Sequence, residues 1–237
     1  MKLTDGLHRI GNDLVACYLV VTADGVTVID AGLAGQWPKL LLELASAERS
    51  LSDVKAVLLT HGDEDHLGFA ERLRRDHAVP VFVHEADAQR AQGAAKPAAA
   101  WGRIRILPLV QFLGYSAGHG GLKTAFLTEV NTFTAGETLA VPGRPLVIGL
   151  PGHSPGSVAF HFPSERALFV GDALTTRNVL TGARGPAPAP FTDDPAQARA
   201  SLEELSGIDA DWLLPGHGPA WRDGVGEALK RVGRANQ

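Results

Sequence analysis

The sequence predicts an α/β fold, because short apolar runs of strand length alternate with segments whose apolar residues recur at helical spacing, and Gly- or Pro-bearing turns separate them. Residues 14–21 and 26–30 read as two strands joined by a turn at Ala23-Asp24-Gly25, since β-branched runs flank a glycine break. Residues 36–48 read as a helix: Leu40, Leu41, Leu44 and Ala45 recur at helical spacing, and Pro38 falls in the first turn, where a missing N–H costs nothing. A buried strand at 56–60 leads through residues 61–66 into a helix at 67–76, and another strand follows at 79–84.

The stretch 91–123 is punctuated by Ala, Gly and Pro yet carries Trp101, Ile104, Phe112 and Leu113, so it reads as an insertion that packs over something, either a lid or a subunit interface. Beyond it come strand-like runs at 146–150, 157–162 and 167–170, a Pro/Gly-rich loop at 176–190, and a helix to residue 205 that Asp194 caps and Pro195 opens. A last strand at 211–215 delivers His217. With 237 residues and no tandem repeat, the whole chain 1–237 is expected to form a single domain carrying the 91–123 insertion.

Composition excludes several classes. Hydrophobic residues make up 45% and charged residues 20%, as in ordinary globular proteins. A formal charge of −4 offers no overall basic field, so no nucleic-acid partner is expected. Every apolar run is interrupted before the roughly 20 residues that a membrane span needs, so no membrane partner is expected either. The first ten residues carry Asp5, His8 and Arg9 in place of the apolar core of a secretory signal, which leads to an expected cytoplasmic location. Cys17 is the sole cysteine and lies in an apolar run, where it reads as a core residue. A thiolate cluster is therefore impossible, and any metal falls to histidine and carboxylate.

Those residue types gather in four loops, each following an apolar strand and each containing glycine. They are His61-Gly62-Asp63-Glu64-Asp65-His66, Pro151-Gly152-His153-Ser154-Pro155-Gly156, Gly171-Asp172, and Pro215-Gly216-His217-Gly218. Ligands on loops at adjacent strand ends can converge on one ion, and glycine beside each lets the backbone turn sharply and come close. Any one of these histidines alone would read as a structural residue; four such loops together point to a metal site. His84 and His119 are further candidates beside it, whereas His8, His77 and His161 read as surface or structural and Glu64 as facing solvent.

In this order, HGDEDH at 61–66, PGHSPGS at 151–157, Gly171-Asp172 and PGHG at 215–218, with Ile29-Asp30-Ala31-Gly32 upstream, resemble the metallo-β-lactamase superfamily over nearly the whole chain. The resemblance implies a four-layer αββα sandwich with one or two divalent metal ions, zinc first among them, at one edge of two packed sheets. It implies His61 and His153 on the first ion, Asp65, His66 and His217 on the second, Asp172 bridging, and Asp30 as a structural carboxylate nearby.

Asp63 departs from the family's HxHxDH pattern, which has histidine there. Three readings stay open: Asp63 binds the first ion through its carboxylate, water replaces the missing imidazole, or only the second ion remains. A carboxylate suits zinc and suits manganese or iron(II) better. With Asp63 as a ligand, four neutral histidines and three carboxylates around two divalent ions and a hydroxide are neutral, whereas five histidines and two carboxylates leave one positive charge. The expected result is a weaker Lewis acid and a higher pKa for the bound water.

The expected activity is metal-dependent hydrolysis, in which a metal-bound hydroxide attacks a carbonyl and Asp65 is both a ligand and the group that orients the water. The apolar character of 91–123, with the loop at 176–190, favours a small carbonyl ester, lactone or thioester as the small-molecule substrate. The basic and aromatic contacts that a glutathione thioester calls for are not identifiable in the sequence. Two other classes fit the same motifs: an iron-dependent oxygenase or redox member of the fold, and a degenerate binding protein without turnover, for which Asp63 is the hint. A homodimer is among the oligomeric states left open.

Overall fold

The N-terminal half builds a sheet from strands that alternate inward and outward side chains. Its members are β1 (Leu7–Gly11), β2 (Ala16–Thr22), β3 (Gly25–Ile29), β4 (Val54–Leu58), β5 (Val81–His84) and β6 (Asn131–Phe133), hydrogen-bonded in that order. The first three pair antiparallel through tight turns, and β3 to β6 pair parallel, with helices in the crossovers. The computed structural model describes residues 1–97 and 101–234, so residues 98–100 of the expected insertion lie outside the described residues.

The second sheet runs β12 (Trp212–Pro215), β9 (Ala167–Gly171), β8 (Val158–Phe162), β7 (Leu146–Gly149), with β12 parallel to β9 and the rest antiparallel. Period-two alternation in β2 shows how the layers form. Ala16, Tyr18 and Val20 turn toward the second sheet, where they meet Phe160, Phe162 and Phe169. Cys17 and Leu19 turn the other way, onto a cluster with Leu40 and Leu44 of α1 (Trp37–Ser46) and Leu73 of α3 (Ala70–His77). On the far side, Leu168, Val170 and Leu213 pack against Leu202, Leu205 and the Val225 and Ala228 face of the C-terminal helix Val225–Arg234. The layers are thus helix, sheet, sheet, helix. Each buried Phe at the centre contributes about 1.5–3 kcal/mol of transfer free energy, and Tyr18 hides its hydroxyl by donating to the Pro215 carbonyl at 2.7 Å.

Several elements differ from their sequence-based reading. The expected helix at 67–76 is broken into α2 (Glu64–Leu67) and α3. Gly68 lies so close to the Gly32–Leu33 backbone that a Cβ would sit 2.3 Å from the Leu33 carbonyl carbon, and its N–H donates to Gly32 O at 2.8 Å. The Pro/Gly-rich loop at 176–190 contains a hairpin of β10 (Thr175–Arg177) and β11 (Arg184–Ala187). Strand β1 leaves little trace in the sequence because His8 and Arg9 look solvated; both are buried, and the terminal nitrogens of Arg9 donate to Asp13 at 3.2 Å and the Gly218 carbonyl at 2.8 Å. Between these elements stand the short α4 (Ala88–Ala91), the helix α5 (Ile106–Gly118) inside the 91–123 stretch, and α6 (Pro195–Ser201), whose N-terminus Asp194 caps as expected. The remaining helix, Val225–Arg234, is α7. No described helix is long and apolar enough to cross a membrane.

Candidate metal centre

The site forms where the C-terminal ends of β3, β4, β5, β7, β9 and β12 face each other across the two sheets. Backbone hydrogen bonds join the loops there: Val158 N to Thr60 O at 2.9 Å, Gly216 N to Gly171 O at 2.9 Å, and Ala16 N to Gly216 O at 2.9 Å. Glycine at 216 is required by contact, since a Cβ would lie 2.5 Å from both Asp172 Oδ1 and His66 Cε1.

All four histidines present the same tautomer to the same space. His66 Nδ1 donates to Asp30 Oδ2 at 2.9 Å, and His217 Nδ1 donates to the Leu14 carbonyl. His61 Nδ1 lies 3.0 Å from Thr60 Oγ1, whose own proton goes to Asp30, so the threonine accepts from the ring. His153 Nδ1 likewise donates to Thr192 Oγ1 at 3.2 Å, which donates onward to Ala189 O at 2.7 Å. Every Nε2 is thereby turned to the shared space, where it offers a lone pair once its proton is released. Those of His61, His66 and His153 are buried with no hydrogen-bond partner, as is Asp172 Oδ1. Asp30, which anchors this set, adopts φ +57, a left-handed conformation that aspartate tolerates only at a cost.

Around these lone pairs the carboxylates lie at separations near the roughly 3.3–3.4 Å expected between two ligands on one tetrahedral zinc ion. His153 Nε2 and His61 Nε2 are 3.3 and 3.7 Å from Asp63 Oδ2. Asp172 stands between, with Oδ1 3.5 Å from His66 Nε2 and Oδ2 3.0 Å from His217 Nε2 and 3.8 Å from His153 Nε2. Asp65 Oδ2 is 3.5 Å from His217 Nε2. Ligand atoms within 4.8 Å of one another group as His61, Asp63 and His153; as Asp65, His66 and His217; and as His61, His66 and Asp172. The structure therefore brings together all seven side chains named from the sequence. Burial works against charge on His66 and His217, but Asp30 and Asp172 overcome it for His66, and Asp172 for His217, so both hold their protons above the ordinary imidazole value. Burial and the neighbouring His66 and His153 push His61 well below it. Burial opposes charge on Asp172 as well, yet His217 and His66 hold its carboxyl well below the usual carboxylate range.

Asp63 occupies the N-cap position of α2 but makes no capping bond with its side chain. Its carboxylate instead receives Arg90 Nε at 2.6 Å on Oδ1 and the other guanidinium arm at 3.1 Å on Oδ2, while Lys96 Nζ reaches Oδ1 at 3.1 Å. Arg90 is braced in turn by Asp193 at 2.6 Å, and Lys96 by Glu64. Burial would raise the Asp63 pKa, but His153, His61 and Arg90 hold it well below the usual range. A charge count limited to the ligands omits Arg90 and Lys96, which answer the extra negative charge that Asp63 brings.

Sequence reasoning passes over four more residues that shape the centre: Arg90, Lys96, Asp193 and Asp87. Buried Asp87 accepts from Gly62 N at 2.8 Å and Ser154 Oγ at 2.6 Å through Oδ2, and from Gly156 N at 2.8 Å through Oδ1, tying the first ligand loop to the second. The available signal is position, since Asp87 and Arg90 directly follow β5, a parallel strand beside β4. His84 caps its own turn by accepting from Ala86 N at 3.2 Å, and His119 stacks on Tyr115 with ring centroids 4.1 Å apart. Glu64 is partly exposed, in line with its solvent-facing reading, and pairs with Lys96.

The candidate ligands lie at one side of a cleft of about 380 Å³, with Leu33, Phe112, Val179, Pro190 and Phe191 among its apolar walls. From the 91–123 stretch, Lys96, Pro97, Phe112, Ser116 and Gly121 line it, and the Phe112 ring meets the His217 ring edge-on at 5.8 Å.

A family model described as the metallo-beta-lactamase superfamily matches residues 10–217. The chain belongs to the metallo-beta-lactamase superfamily. It is an MBL-fold metallo-hydrolase, and the four-layer sandwich is the fold of its structural neighbours. The probable metallo-hydrolase YflN of Bacillus subtilis (strain 168) is 28% identical over 90% of this chain and 84% of its own length. A hydroxyacylglutathione hydrolase of Fuscovulum blasticum is 31% identical over 74% of this chain and 51% of its own. The crystal structure of a metallo-beta-lactamase family protein from Thermus thermophilus superposes with a TM-score of 0.71 at 25% identity, covering 100% of this chain and 81% of that one.

Proposed function

We propose that this metallo-hydrolase cleaves a small carbonyl ester, lactone or thioester, with zinc held by His61, Asp63 and His153 and by Asp65, His66 and His217, and Asp172 between the two sets. The observation that carries the reading is the trio of buried, unpartnered Nε2 atoms on His61, His66 and His153, each ring locked by a bond at Nδ1. Buried imidazole nitrogens normally find a partner, and the two proposed ions would supply one to each, His61 and His153 sharing the first and His66 taking the second.

When bound, such an ion supplies Lewis acidity, acidifying a water and polarising a carbonyl oxygen. The chain's own residues do the rest. Asp30, Thr192 and the Leu14 carbonyl hold the rings in orientation. Asp65, which borders the cleft, orients the attacking water. Leu33, Phe112, Val179 and Phe191 seat an apolar acyl group and exclude bulk water. The two cations that line the cleft, Arg90 and Lys96, are already paired with carboxylates, which favours an uncharged acyl group over an anionic one. The thioester within this class gains support from the relative named a hydroxyacylglutathione hydrolase.

The test is elemental analysis of the purified protein combined with a panel of a nitrophenyl ester, a γ-lactone, an acyl thioester and a phosphodiester, before and after chelation. Bound zinc and chelator-sensitive cleavage of a carbonyl substrate are expected. Full carbonyl activity with metal demonstrably removed, or cleavage of the phosphodiester alone, overturns the proposal; iron in place of zinc transfers the site to redox chemistry.

A further inference from the structure

The α5 helix carries apolar side chains on both of its faces. Inward, buried Phe112 packs with Val15, Leu33, Val179 and Leu180, and the Tyr115 hydroxyl accepts from Gln36 at 3.2 Å. Outward, Ile106, Leu107, Val110 and Leu113 are 81%, 68%, 58% and 53% exposed. Gln111, Gly114, Ala117 and Gly118 are exposed beside them, so the outer face carries one amide and no charge anywhere along its length. Exposed Ile104 and Leu122 lie beyond its two ends, as does half-exposed Trp101, whose ring meets Phe191 edge-on at 5.0 Å. Surface helices ordinarily turn charged residues to water, and a contiguous apolar face marks a contact.

Charge identifies what makes that contact. The sequence has no Asp or Glu between Asp87 and Glu129, although the chain as a whole carries −4. Arg103, Arg105 and Lys123 flank the outer face and are exposed. Unlike Arg90 and Lys96, they make no ion pair among the described residues. A two-fold contact with a second copy would set these cations against one another with no acid in the segment to answer them. An anionic lipid surface matches both features, taking the apolar side chains at its interface and the cations at its headgroups, with Trp101 suited to the boundary. At 13 residues α5 lies on such a surface and does not span it. The sequence-based exclusion of a membrane partner rested on spanning length, which says nothing of a helix face.

We propose that the outer face of α5, with Trp101, Arg103, Arg105 and Lys123, docks this protein onto an anionic lipid surface. Because Phe112 and Ser116 on the inner side of the same helix line the cleft, docking would bring its mouth to the bilayer, where a lipophilic ester or thioester is concentrated. That consequence rests on the proposed hydrolase reading; the docking does not.

The experiment is co-sedimentation of the full-length, metal-loaded protein with vesicles of phosphatidylglycerol and phosphatidylcholine, against vesicles of phosphatidylcholine alone, with light scattering in the absence of lipid. Partitioning to the anionic vesicles is expected, weakening with salt and by about fivefold for each of Arg103→Gln, Arg105→Gln and Lys123→Gln. Leu107→Gln with Val110→Gln should abolish it while circular dichroism stays native. Leu42→Gln, at an exposed leucine of α1, should leave it intact. No partitioning, equal partitioning to both vesicles, or a lipid-free dimer that Leu107→Gln dissolves while vesicles bind nothing, overturns the proposal. Since vesicle binding needs no turnover, loss of hydrolysis alone would count against the catalytic reading and not against this one.

Discussion

Asp63 divides its carboxylate between two tasks: Oδ1 takes Arg90 and Lys96, while Oδ2 faces His61 and His153 and also receives the second arm of Arg90. If that geometry makes it a ligand, Asp63→Ala should lower the metal content by about one ion per chain, read by elemental analysis, while Asp65, His66 and His217 keep theirs. An unchanged count would remove Asp63 from the site. Arg90→Met should keep the fold but weaken the first ion by about 10–100-fold in a chelator competition, because residues that orient a ligand typically act on that scale; unaltered affinity would show the guanidinium to be a bystander. Protons compete for the same atoms. His66 and His217 hold theirs above the ordinary imidazole value in the metal-free chain, so loading near neutral pH must expel them. The sign follows: apparent affinity should rise as pH rises through that region, with proton release measurable in a weakly buffered solution, and affinity flat across it would contradict the assignment. The ligand loops were legible because each joins glycine to His or Asp after an apolar strand. Arg90 was not, since nothing local to it distinguishes a buried clamp from a solvated arginine until the fold sets it against Asp63.

Among elements, the parallel strands carry the site and the connection after β5 holds it together. Asp87 there takes three hydrogen bonds from the two ligand loops. Asp87→Ala would strand the Gly62 and Gly156 N–H groups in a buried place, and at about 1–3 kcal/mol for each orphaned group the expected loss is roughly 2–6 kcal/mol in urea unfolding. A loss under about 0.5 kcal/mol, the scale of ordinary surface substitutions, would mean the loops hold without it. Strands and amphipathic helices were readable wherever one period dominated, as in β2, α1 and β8. The departures have a shared cause in tertiary contact. Gly68 interrupts a helical pattern because the Gly32–Leu33 backbone leaves no room for a side chain, and His8 and Arg9 look solvated until Glu43, Asp13 and Gly218 are seen to receive them. The outward apolar face of α5 was equally invisible, because composition shows that a stretch is apolar and not which side of it is left uncovered.

At the scale of the whole molecule, the candidate centre spans the seam between the two sheets. His61, Asp63, Asp65 and His66 hang from β4 of the first sheet, whereas His153, Asp172 and His217 follow β7, β9 and β12 of the second. An ion bound there closes the edge of the sandwich that side-chain packing leaves polar, and it binds the folded chain alone because no such convergence exists in the unfolded one. The stabilisation then follows mass action: at a free ion concentration about 1,000 times Kd it reaches about 4 kcal/mol. For a chain of this size, about 2–4 °C of Tm accompanies each kcal/mol, so chelation should lower Tm by roughly 8–16 °C. Restoring the ion should raise Tm progressively with its concentration, without a plateau at one equivalent, since mass action continues beyond saturation. Scanning calorimetry at constant pH across a zinc series reads this directly. A Tm indifferent to zinc, in a protein whose metal content is shown to change, would mean that the seven side chains are held by the sandwich alone and that the ion contributes nothing to joining its halves.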